Sequence, residues 1–87
     1  MNLSRPYEIV APLTVYEVLR GMHRSQRREV EYFLHRLADR PALQGDFEAP
    51  ADDGRIHQVK VVRGWMISYW GDHAACEMRV TSLEPIE

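Results

Sequence analysis

Four histidines, one cysteine and a scatter of arginines are the residues here with chemistry to offer. Asp72-His73-Ala74-Ala75-Cys76 sets a His-x-x-Cys pair, two donors where a zinc site needs about four. His23, His35 and His57 fall on other elements, so no metal site is expected. Ser25, Ser68 and Cys76 sit in no nucleophile motif, and no glycine-rich phosphate loop occurs, so no cofactor is expected. Charge and aromatic surface remain. Arg20, Arg24, Arg27 and Arg28 gather within one short stretch. They read either as a solvated face or as a docking surface for an acidic segment or a nucleic-acid-bearing target. Lys60, Arg63 and Arg79 recur through the last third, interleaved with Trp65 and Tyr69. What they do depends on which face of which element they share.

The elements that position them follow from the apolar spacing. Residues 55–72 read as two β-branched and aromatic strands joined at Arg63-Gly64, with a third strand over residues 76–83. A two-residue turn sets Val62 opposite Trp65, Lys60 opposite Ile67 and Gln58 opposite Tyr69. One face then holds His57, Val59, Val61, Met66, Ser68 and Trp70, and is assigned to the core for its apolar centre. Cys76, Met78 and Val80 are expected to join it. Gln58, Lys60, Tyr69 and Arg79, flanked by Arg63 and Trp65, fall on the outer face. A slip of one residue would exchange the two sets. Trp65, beside the turn, is the aromatic best suited to a partner contact. Arg55 fits either a solvated or a binding role. Tyr69 and Trp70 must point to opposite faces, as core and cover or as a stacking platform.

Upstream the period changes. Residues 7–11, bracketed by Pro6 and Pro12, read as an edge strand. Thr14 to Glu17 has the form of a capping box, and Val15, Val18, Leu19 and Met22 make an apolar helical stripe. Gly21 ends that helix and Ser25 is placed to cap the next. Its stripe is Val30, Phe33, Leu34 and Leu37, and Arg40-Pro41 stops it. A helical hairpin is expected. Residues 41–54 read as a loop, with Leu43 and Phe47 pinned to the body. The prediction is an α+β fold, one domain over residues 1–87, with the helices on one face of a twisted antiparallel sheet.

With 87 residues the chain can build one modest core and no separate cofactor domain. Net charge is −2, which excludes a polycation. The halves differ: residues 1–40 carry seven arginines and five acids, whereas residues 41–87 carry four bases and eight acids. A basic helical half and an acidic sheet half would suit a local contact with an anionic partner. The lone Cys76 permits no internal disulfide and fits a reducing cytoplasm. The first residues lack the apolar core of a signal peptide, and no apolar run reaches membrane-span length.

The element order, with Leu-Ala-Asp-Arg-Pro at 37–41, Gly45-Asp46, Val-Lys-Val-Val-Arg-Gly-Trp-Met-Ile-Ser-Tyr-Trp at 59–70, Asp72 and Arg79-Val80, resembles the RelE/ParE superfamily of type II toxin–antitoxin systems, known also for plasmid stabilisation. The resemblance implies a β-α-α-β-β-β fold and a cognate antitoxin that wraps the toxin. It implies one of two activities. RelE-like members cleave mRNA on the ribosome with cations on the outer sheet face and a C-terminal aromatic or histidine. ParE-like members lack that set and poison DNA gyrase. By position, Lys60, Arg63 and Arg79 stand where the RelE-like cations hold phosphate, a charge-stabilising role, with Tyr69 or His57 left to move protons. Residues 82–87 contain no Tyr, His, Lys or Arg. That departure, with the acidic tail, favours a ParE-like toxin inhibiting an essential target by binding. The alternatives are a ribosome-dependent endoribonuclease and an interaction domain that keeps the fold without toxicity.

Overall fold

Arg63 and Gly64 both take positive φ, 51° and 84°, the conformation that a two-residue hairpin turn demands. The turn joins strand β3 (Ile56–Val62) to β4 (Trp65–Asp72). The register is the expected one, with Gln58 facing Tyr69, Lys60 facing Ile67 and Val62 facing Trp65. The computed structural model to which these strands belong describes residues 6–86. Most of the segment read as lacking a leader, residues 1–5, lies outside that range.

Strand β1 (Glu8–Val10) comes first, then helices α1 (Leu13–Gly21) and α2 (Arg24–Asp39). Strand β2 (Phe47–Pro50) precedes the hairpin and β5 (Glu77–Pro85) follows it. The five strands lie in the order β1-β5-β4-β3-β2. The α+β expectation holds: α1 rests on β5, and α2 rests on β1, β3 and β5. The sheet is mixed, because β1 runs parallel to β5 while the remaining pairs are antiparallel. Among the described residues no helix is long and apolar enough to cross a membrane.

Both helical stripes face the core, with Val18 and Leu34 only partly buried. Val15, Leu19 and Met22 from the α1 stripe join Val30, Phe33 and Leu37 in one cluster with Ile67, Tyr69, Met78, Val80 and Leu83. The helix starts differ from the sequence reading. Pro12 holds the N-cap of α1 with no side-chain cap, so Thr14 lies inside the first turn and forms no capping box. A proline suits this entry because its φ is already fixed and it has no N–H to satisfy. At α2, His23 rather than Ser25 is the cap, its ring accepting from the Ser25 N–H.

Three further expectations change. The segment read as a loop contains β2, an edge strand held by its ladder to β3. Phe47-Glu48-Ala49-Pro50 has no β-branched residue to signal it. Phe47 is 48% exposed rather than pinned, whereas Leu43 does pack against the core. Cys76 is exposed, in a left-handed turn with φ 54°, and never reaches the core that Met78 and Val80 join.

The faces of β3 and β4 are exchanged. Ile67 and Tyr69 are buried beneath the helices, with Val62 and Trp65 packed against them. His57 and Val59 are buried apart from that cluster. The polar residues on the helix side are satisfied by the chain that follows α2. Gln58 Oε1 accepts the Gly45 N–H at 2.8 Å, and Lys60 Nζ meets Asp46 Oδ1 at 3.3 Å. Apolar uniformity along β3 therefore misjudged which face the helices cover.

Candidate functional site on the outer face of the sheet

The four residues expected to share a catalytic surface are dispersed. Lys60 sits at the helix-side margin, paired with Asp46. Arg63, in the hairpin turn, pairs with Glu29 of α2 at 2.9 Å. Arg79 is held by Glu77 at 2.7 Å and Asp72 at 3.7 Å. Tyr69 is in the core, donating its hydroxyl to the Leu43 carbonyl at 3.0 Å and lying against Phe33. Burial, followed by the field of Asp46, pushes its phenol up to about 12. A phenol that closed to solvent moves no proton to a ligand near neutral pH. Trp65 is partly buried, packed against the core cluster beside the hairpin turn.

Other residues converge instead. Trp70 lies opposite Arg79 across the β4–β5 ladder. The Arg55 guanidinium stands 4.0 Å above the Trp70 ring centre, within cation–π range. The alternation on β3 and β4 assigns Trp70 to the core face, the reverse of its place here, and Arg55 precedes the strand and carries no periodic signal.

His57, only 5% exposed, is the other convergence. Its Nε2 lies 3.0 Å from Asp53 Oδ2, and its Nδ1 lies 3.1 Å from Thr81 Oγ1. The Arg55 N–H holds the other carboxylate oxygen of Asp53 at 2.9 Å. That hydrogen bond keeps the Asp53 carboxyl below the usual carboxylate range, against a smaller desolvation effect and with help from His57. Ser68 pairs with Ser82 and Tyr69 with Val80, so Thr81 is left between them as a bulge. Bulges re-aim side chains, and here Thr81 turns toward His57. The groove over these residues has a volume of about 520 Å³ and is lined by Asp52, Glu84 and Ser82 among others.

The helical arginines form the second candidate surface. Arg20 and Arg27, with Tyr16, Leu19 and Glu31, line a shallow cleft of about 520 Å³ between α1 and α2. Arg20, Arg24 and Arg28 are exposed. Among the described residues none of the four arginines enters an ion pair.

A chain of the archaeal RelE–RelB complex from Pyrococcus horikoshii superposes with a TM-score of 0.77 at 12% identity, over 94% of this chain and 97% of that one. The fold is that of the RelE toxins. The isolated RelE toxin of E. coli gives a TM-score of 0.71 at 14% identity, over 93% of this chain and 85% of its own. A chain of the RelBE2 toxin–antitoxin complex from Mycobacterium tuberculosis gives 0.69 at 12% identity, with both chains covered in full. No family model matches the sequence, and no curated protein does. At such identities the RelE likeness carries the fold and leaves the site to be argued from the residues present. On this RelE fold Lys60 lies on the helix side of the sheet and Arg79 on its outer face, while Arg63 is tied to α2 through Glu29.

Proposed function

We propose that this chain is the toxin of a type II toxin–antitoxin pair, neutralised by a cognate antitoxin, and that it acts in the cytoplasm by binding an essential target in the manner of ParE on gyrase. The RelE fold supports the toxin assignment. One observation carries the choice of binding over cleavage: Lys60, Arg63 and Arg79 are each paired with a carboxylate and do not converge. A nuclease needs cations free to meet charge that develops on phosphate. The unpaired arginines of α1 and α2 offer a docking surface for an acidic segment of the antitoxin or target.

A second reading is favoured by Trp70 on the outer face, with the Arg55 guanidinium over its ring and Arg79 opposite it, both arginines also lying against carboxylates. Aromatic stacking with flanking cations suits single-stranded RNA, as a RelE-like ribosome-dependent endoribonuclease would require. Induced expression without a partner is the test. Growth arrest relieved by a neighbouring gene product supports the toxin assignment, and harmless expression points to an interaction domain. Primer extension then separates the mechanisms. Intact messages with DNA damage support gyrase poisoning, and new mRNA ends support the ribonuclease. Charge reversal at Arg20, Arg24, Arg27 and Arg28 is expected to weaken antitoxin binding at least 10-fold, a loss of about 1.4 kcal/mol.

A further inference from the structure

We propose that Asp53, His57 and Thr81 form an acid–base–nucleophile relay that makes Thr81 reactive toward small carboxylic esters. The inference stands on this chain's residues and does not depend on the toxin reading.

The geometry is that of an activated nucleophile: a hydroxyl within hydrogen-bond reach of a base that a third group orients. Asp53 Oδ2 lies 3.0 Å from His57 Nε2, so the carboxylate holds the ring proton on that nitrogen. The Nδ1 lone pair is then presented to the Thr81 hydroxyl at 3.1 Å. The Ser68 carbonyl, 3.3 Å from the same hydroxyl, is the competing acceptor. Three separate features fix the arrangement. The Asp53 carboxylate is anchored by the Arg55 N–H, His57 is buried, and the bulge between Ser68 and Tyr69 sets Thr81 out of the regular ladder. Thr81, Ser68 and His57 all open on the same groove.

The lining also decides the substrate class. Asp52, Asp53 and Glu84 border the groove and no lysine or arginine does. Anionic phosphates are repelled there, whereas a neutral or cationic ester is not. In the first step Thr81 Oγ1 bonds to the ester carbonyl carbon and its proton passes to His57 Nδ1. The ester C–O bond breaks and the departing alkoxide takes that proton, leaving as an alcohol. Water then gives a proton to His57 and attacks the acyl-threonine. Thr81 Oγ1 leaves, recovers the proton, and a carboxylic acid is released.

The test uses the full chain with a neutral fluorophosphonate and with p-nitrophenyl acetate. Intact-mass and peptide analysis should place one phosphonyl adduct on Thr81. Thr81→Val should abolish the adduct and Thr81→Ser should retain it. Asp53→Asn should slow labelling and ester hydrolysis by about 10²-fold or more, the scale of a lost acid–base function. His57→Gln removes a buried ring and threatens folding, so the nearly isosteric Thr81→Val, with its melting temperature checked, is decisive. An unlabelled Thr81 in the folded wild-type chain, or hydrolysis unchanged in Thr81→Val, overturns the proposal.

Discussion

The Asp46 carboxylate accepts the Val61 backbone N–H at 2.8 Å. Strand β2 begins one residue later, so a side chain continues the ladder where backbone pairing stops. The Asp46 N–H in turn reaches the Val59 carbonyl at 2.8 Å. One residue thus closes the open end of the β2–β3 pair.

This arrangement predicts an acid limb. The Val61 N–H bond holds the Asp46 carboxyl below its usual range, opposed by desolvation and assisted by Lys60. Asp53 is lowered by its bond to the Arg55 N–H and by His57. A lowered folded-state value means stability that is present above the unfolded value, about 4, and lost as pH falls through the folded one. Melting temperatures should therefore decline below about pH 4. Asp46→Asn and Asp53→Asn should each start lower at neutral pH and show a shallower acid decline. Identical profiles for wild type and both variants would refute the assignment.

Tyr69 predicts the alkaline counterpart. Its phenol is raised from 10.0 to about 12, first by burial and then by Asp46. The neutral form is favoured in the folded state, so its contribution is complete below pH 10 and disappears as pH rises toward 12. Absorbance at the tyrosinate band should resolve one late-titrating group. Tyr69→Phe should cost roughly 1 kcal/mol through the orphaned Leu43 carbonyl. It should leave any cellular toxicity intact, whereas a catalytic Tyr69 would not.

Two glycines should respond in opposite directions. A Cβ on Gly45 would sit 2.5 Å from the Val59 carbonyl oxygen, a backbone atom that cannot swing aside. Gly45→Ala should cost about 1–3 kcal/mol in denaturant unfolding, as overpacking does. Gly21, the last residue of α1, has no atom within 4 Å of that position. Gly21→Ala should be neutral or stabilise by roughly 0.4–1 kcal/mol through the unfolded chain.

The Arg55–Trp70 stack should be visible in emission. In a Trp65→Phe background, Arg55→Ala should shift Trp70 fluorescence to the red as water replaces the guanidinium. The cost should be about 0.5–1 kcal/mol, as for exposed cation–π pairs. Unaltered emission would show that the guanidinium spends little time over the ring.

Periodicity made the helices, the hairpin register and the paired stripes legible, because each is a local pattern with one strong interpretation. The facing of β3 and β4 was not, since both of their faces carry apolar residues and only the loop around Asp46 determines where Gln58 and Lys60 are accommodated. Thr81 and His57 were equally out of reach. They lie 24 positions apart and meet through a bulge that alternation alone does not announce. Nor does composition reveal that Arg63 would find Glu29.

Strand β1 enters the sheet beside β5, and Tyr7 reaches His73 across 66 positions of sequence. That edge demands a long loop closure, which is slow compared with forming the hairpin. A ribosome must have released residues through Arg79 before Val10 can find its place. During synthesis, then, it is β1 that waits without a neighbour, and the sheet gains this edge only after β5 has emerged.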